Sequence, residues 1–361
     1  MEEPLPGTMC RMPSEVLEPS IDGLAAFVDA LPKVELHVHL EGSIAPTTLL
    51  ALARSQPDSA LPHSEEGLRE LYRFRDFAHF LEVYLLICRH LRTTDDFALI
   101  TRELGASLAA QNVRYAEVTV TPMGHVLRGV APAALFEGIE QGRAEVEAEH
   151  GVRLRWCTDI DGRGGPELGV ETVELVLRHR PAGLVSLGLG GQEVPRGQFR
   201  RAFEIARDAG LHSVPHAGEA AGPESVWEAI DQLGAERIGH GVRCLEDPEL
   251  VAELRRRRIP LEVCPTSNVR TGVVADLSEH PLPRLIEEGL LVTLNSDDPP
   301  MFGTTLRNEY IAVARTLGLG AVGLKDLARN AARAAFLPHA EAQALVAEID
   351  AVPLPPPGPE N

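Results

Sequence analysis

No stretch of this chain approaches 18 consecutive apolar residues, so a transmembrane helix is not expected. The opening segment, MEEPLPGTMCRMPSEV, is acidic and carries no apolar core, which argues against a secretory signal. Cysteine is sparse. Cys10, Cys88, Cys157, Cys244 and Cys264 lie far apart, are odd in number and form no C-x-x-C. Neither a disulfide framework nor a thiolate zinc site is expected, and a reducing cytoplasm is the expected compartment. Basic charge is also short, with 34 Lys and Arg against 53 Asp and Glu and a formal net charge of −19. Phosphate-backbone binding needs clustered cations. The one dense basic run, RRRR at 255–258, follows DPELVAEL and reads as the solvated end of a helix, so no nucleic-acid partner is expected.

What is present is apolar material for a large core, 44% of 361 residues. Residues 16–350 read as a single domain, with residues 1–15 and the proline-rich AVPLPPPGPEN at 351–361 as flexible tails. Short β-branched, apolar segments alternate with helical patterns. The strands are placed at 34–40, 113–120, 153–160, 183–190, 211–218, 237–242, 260–267 and 290–297. Eight strands separated by helices imply βα units and an α/β fold, a (β/α)8 TIM barrel. No G-x-G-x-x-G follows the first strand, which weakens an open dinucleotide-binding sheet. The segment from 44 to 110 is too long for one crossover and is read as additional helices inserted after the first strand, covering one mouth of the barrel.

Chemistry collects at the strand ends. In VELHVHLEG, His37 and His39 are two apart on a strand and share a face. Such a pair is half of a metal site or simply two histidines bonded to neighbours. His216 and Glu219 stand in PHAGE, His240 in IGHGV, and Asp297 and Asp298 follow the last strand. Each taken singly is as well explained as a buried polar group or, for one aspartate, a helix N-cap. Jointly they fall in or just past strands one, five, six and eight, and so converge on the mouth where barrel active sites lie. Three histidines and an aspartate suit Zn²⁺ with a water completing the shell, and a non-ligand Glu and His beside it could move protons. The fourth strand, LVSLGLGGQE, offers neither lysine nor histidine to bridge a second ion, so one metal is expected.

The stretches LPKVELHVHLEGSI, HAGE, RIGHGVR, EVCPTSNV and LNSDDPPMFGTTL, in this order, resemble the adenosine deaminase family of the metal-dependent amidohydrolases. The resemblance implies that His37, His39, His216 and Asp297 hold one zinc ion per chain. It implies that Glu219 delivers a proton to purine N1, that His240 orients and deprotonates the metal-bound water, that Asp298 meets N7 and that the Gly191 backbone meets N3. His39 would also face the substrate. Glu41, in HLEG where many members have HLDG, is expected at the 5′ end of the substrate. Asp298 can bond N7 only as a donor, so it must be protonated, and burial beside Asp297 pushes it that way. The implied partner is a small purine nucleoside, adenosine or a 5′-modified analogue such as 6-aminodeoxyfutalosine, with no nucleic acid and no membrane. The alternatives are deamination of free adenine and a catalytically silent nucleoside-binding barrel. Phe77, Phe80 and Tyr84 share one helical face and read as core before substrate lid. Cys264 reads as a small buried hydrophobe.

Overall fold

A computed structural model describes residues 21–56 and 58–356, so the expected tail at 1–15 and the last residues of the C-terminal tail lie outside it. Eight parallel strands follow one another in sequence order around a nearly closed barrel: β1 Lys33–His39, β2 Val113–Val120, β3 Arg153–Asp161, β4 Leu184–Gly190, β5 His212–Ala217, β6 Ile238–His240, β7 Leu261–Val263 and β8 Val292–Leu294. The barrel expectation holds. Their side chains are buried on both faces, as parallel strands wrapped in helices require, with Val118, Val120, Leu154 and Trp156 fully enclosed.

The circle is closed by main chain just past β8. Asp297 N donates to His37 O at 3.0 Å and His39 N donates to Asp297 O at 2.8 Å, with Val38 and Asp297 paired in parallel. The barrel therefore shuts at the residues that carry chemistry.

The later strands are shorter than their sequence patterns. β7 stops at Val263 because Pro265 opens a helix, Pro265–Arg270, in which its missing N–H costs nothing. β8 stops at Leu294, and Asn295 to Asp298 form the closing segment and a turn. The insertion after β1 is helical as expected, with Glu65–Leu71, Phe77–Cys88 and Thr94–Ala110 joined by a further helix, Pro46–Ser55. The longest of these starts at a reciprocal cap between Thr93 and Asp96. Arg255, Arg256 and Arg257 close the helix Pro248–Arg257 and pair with Glu288, Glu253 and Asp231. No described helix is long and apolar enough to cross a membrane.

Beneath the mouth, one cation ties the barrel interior together. Arg237, 1% exposed, bonds Glu117 and Glu262, donates to Ala334 O at 2.9 Å and lies 3.9 Å over the Phe336 ring. Glu117 also accepts from Tyr115 Oη and from Phe336 N. Removing one partner of a buried charge cluster strands the others. Arg237→Met should lower unfolding stability by about 3–5 kcal/mol in urea titrations. A loss below ~1 kcal/mol would show that the two glutamates do not depend on this cation.

Candidate active site

His37 and His39 project from β1 to the same side, His37 sealed below the cleft floor and His39 on its surface. β5 brings His216 to its end, and the turn through Gly218 places Glu219. β6 ends in His240 and the closing segment supplies Asp297 and Asp298. His240 and Asp297 both hold left-handed backbone, φ 62° and 65°, a conformation that non-glycine residues keep only where surrounding structure imposes it.

The imidazoles crowd one point. The ring centre of His37 lies 4.5 Å from that of His216 and 4.8 Å from that of His240. His39 Nε2 is 3.3 Å from both His216 Nε2 and Asp297 Oδ1, and His37 Nε2 is 3.6 Å from the same Oδ1. His37 Nε2 and His216 Nδ1 are buried without a protein hydrogen-bond partner. Overlapping donor groups result: His37, His216 and His240; His37, Cys264 and Asp297; His39, Asp297 and Asp298. Nitrogen and oxygen ligand atoms brought this close, two of the nitrogens buried without a partner, fit a divalent cation. Glycine makes the room. A Cβ on Gly239 would come within 2.9 Å of His37 Cε1 and 3.2 Å of the His216 backbone, and one on Gly42 would fall on the Asp298 carboxyl.

The electrostatics separate the groups. Burial depresses His39 and His216, favouring neutral rings. Burial opposes charge on His37 too, but the Asp297 carboxylate beside Nε2 and the Glu262 carboxylate bonded to Nδ1 lift it well above the ordinary value. The adjacent aspartates move apart. Burial and then the charge of Asp297 hold Asp298 well above the carboxylate range, whereas Asp297, despite burial, is held well below it by His37. Burial followed by the Asp297 charge also raises Glu219. Asp298 precedes the short helix Pro299–Phe302, yet its side chain makes no capping bond and Oδ1 has no partner, so the N-cap reading fails there.

These groups open on a cleft of about 780 Å³, its mouth included, with Gly191 (φ 73°) on one wall and Glu41 on the other. The nine residues singled out from sequence therefore meet, eight lining the cleft and His37 beneath it. Phe77, Phe80 and Tyr84 line it as well, although Phe80 also packs on Phe302, so core and lid are not exclusive. Glu41 is tied to the wall. Oε1 accepts from His125 Nε2 at 2.9 Å and Thr121 N at 3.2 Å, and Oε2 from Tyr84 Oη at 3.2 Å.

Sequence reasoning passed over several neighbours. Glu262 Oε2 lies 3.0 Å from His37 Nδ1 and turns the other nitrogen toward the cluster. Asn268 bonds His240, and His280 bonds Asn268. Asp159 lines the cleft with Oδ2 3.8 Å from His216 Nδ1. Glu262 and Asn268 stand inside EVCPTSNV and so carried a signal; His125 and His280 have no motif around them.

Comparison with known proteins finds relatives that match most of the chain. The chain is 51% identical over 331 residues to an aminodeoxyfutalosine deaminase of Streptomyces avermitilis, covering 91% of this chain and 92% of the relative. It is 41% identical over 310 residues to an adenine deaminase of Streptomyces coelicolor, covering 85% and 91%. An amidohydrolase from Burkholderia ambifaria, solved with bound zinc, superposes with a TM-score of 0.85 at 28% identity, covering 94% of this chain and 96% of that one. A sequence model described as adenosine deaminase matches residues 32–352, and with these relatives it establishes that the chain belongs to the adenosine deaminase family.

Proposed function

We propose that this chain, acting in the cytoplasm as one domain over residues 16–350, is a zinc-dependent aminohydrolase that removes the 6-amino group of an adenine nucleoside altered at its 5′ carbon, as in aminodeoxyfutalosine. His37, His39, His216 and Asp297 would hold the ion. When bound, such a cation lowers the pKa of a water and supplies a hydroxide nucleophile at neutral pH. The chain's own residues do the rest. Glu219, kept protonated by burial, gives its proton to N1 as water adds at C6; of that water's two protons, one leaves with the amino group as ammonia and the other restores Glu219 as the C6 carbonyl forms. Asp298, also kept neutral, donates to N7, which can only accept. The Gly191 N–H meets N3, and His240, with Nε2 3.6 Å from Glu219 Oε2, orients the incoming oxygen.

The observation that carries the nucleoside reading is the higher identity to the aminodeoxyfutalosine enzyme, 51% against 41% for the adenine deaminase. The cleft supports it, because it runs beyond His39 and Gly191 to Phe77, Leu81, Arg128 and Arg163. Free adenine remains the second reading, on the strength of the adenine deaminase relative.

Turnover of aminodeoxyfutalosine, adenosine and adenine, followed by purine absorbance, should rank the first highest in kcat/KM, with adenine lower by about 100-fold or more. Adenine as the preferred substrate would replace this reading with the free-base one. Glu219→Gln and Asp298→Ala should each lower kcat by roughly 10²–10⁴-fold while leaving metal content at the level of the unaltered protein. Activity within about tenfold for Glu219→Gln would remove its proton role, and loss of metal from Asp298→Ala would make that residue a ligand.

A further inference from the structure

We infer that a buried relay from the Leu282 main chain through His280 and Asn268 fixes His240 as the Nε2–H tautomer, making His280 and Asn268 positioning residues that act through His240. The reasoning starts from a group whose role is not open to choice. The Leu282 N–H can only donate, and it reaches His280 Nδ1 at 3.1 Å. That nitrogen is therefore an acceptor, and a neutral His280 carries its proton on Nε2. Burial pushes His280 down to about 4, so the ring is neutral near pH 7.

His280 Nε2 stands 3.1 Å from Asn268 Oδ1 and donates to it. This settles which way the amide lies, a choice that an isolated asparagine leaves open. Its oxygen faces His280, and Nδ2 faces His240 Nδ1 at 3.2 Å. An amide nitrogen only donates, so His240 Nδ1 accepts. The proton of a neutral His240 is then on Nε2, which is turned toward two acceptors, Glu219 Oε2 at 3.6 Å and Asp297 Oδ2 at 3.9 Å.

Solvent does not compete for these bonds: Asn268 is 0%, His240 1% and His280 3% exposed. Main chain holds each member in place. Asn268 N donates to Cys264 O, Val274 N donates to Asn268 O, and His280 N donates to Leu277 O. The helix Pro265–Arg270, opened by the proline that ends β7, is what carries Asn268 under His240.

A His240 held this way presents a proton to the incoming oxygen and has no lone pair to offer it. That departs from the expectation that His240 deprotonates the attacking water. It orients that oxygen as a donor.

The test uses zinc-loaded protein with ¹⁵N-labelled histidine. Two-bond ¹H–¹⁵N correlations report which ring nitrogen carries the proton, and His240→Gln identifies the His240 signals among the 13 histidines. The relay predicts a protonated Nε2 and a bare Nδ1. Asn268→Asp offers only acceptors, so it should place a proton on Nδ1 and lower kcat by about 10²–10⁴-fold, the scale of loss when a catalytic histidine is held in the wrong tautomer. KM should stay within about threefold and zinc should be retained. His280→Gln, which can still donate to Asn268, should preserve the tautomer that His280→Leu loses. A proton on Nδ1 in the unaltered protein overturns the relay, as does Asn268→Asp with kcat within about threefold. Should Asn268→Asp fail to fold, the spectrum of the unaltered protein decides alone. The tautomer arm needs no substrate, so a wrong substrate assignment and a wrong relay are told apart.

Discussion

The arrangement depends on one pair of main-chain hydrogen bonds, those between Asp297 and the residues on either side of Val38. They shut the barrel. Because His37 and His39 lend their backbone to the seam, the same bonds bring the Asp297 carboxylate to 3.3 Å from His39 Nε2 and 3.6 Å from His37 Nε2. Two of the five non-glycine residues with left-handed backbone among the described residues stand at this mouth. Asp297 holds left-handed φ at the seam and His240 does so at the end of β6, a cost of order 1–3 kcal/mol each that only a rigid surrounding can sustain. A buried polar floor supplies that rigidity: Glu262 links His37 to Arg237, and Arg237 links Glu262 to Glu117 and the Phe336 segment. The candidate metal site and the buried floor of the barrel therefore share residues.

Two adjacent carboxylates are tolerated at the mouth because their surroundings differ. Asp297 is embraced by three imidazoles and stays ionised; Asp298, one residue on, faces a neighbouring anion with one oxygen unpartnered, and is pushed toward its neutral form. Glu219 is pushed the same way by burial and by Asp297. Burial, reinforced by one neighbouring anion, thus favours the protonated form of two acids in one cleft, as the proposed protonation of N1 and the proposed bond to N7 require.

Much of this was legible in the chain. The strand–helix alternation fixed the barrel, and H-x-H, HAGE, IGHG and SDD placed nearly every chemical group at one mouth, because strand ends in a closed parallel barrel share a face. The boundaries of β7 and β8 were less legible. PLEVCPTS and LLVTLNSD are apolar enough for eight-residue strands, yet Pro265 starts a helix and Asn295 to Asp298 turn to meet β1. Hardest to read were the partners. His125 and His280 lack local patterns, and their roles exist only because distant loops deliver them to Glu41 and Asn268. Glu262 stands inside a motif, but its partner shows only once the barrel puts it beside His37.

The account turns on a single cation held where the barrel closes. Diffraction from zinc-soaked crystals, recorded on both sides of the zinc absorption edge, tests that directly. The account predicts one anomalous peak per chain, within about 2.0–2.2 Å of nitrogen or oxygen atoms of His37, His39, His216 and Asp297, with His240 and Cys264 outside ligand distance. A peak ligated by His37, His216 and His240, or a second ion in the same cleft, would contradict it.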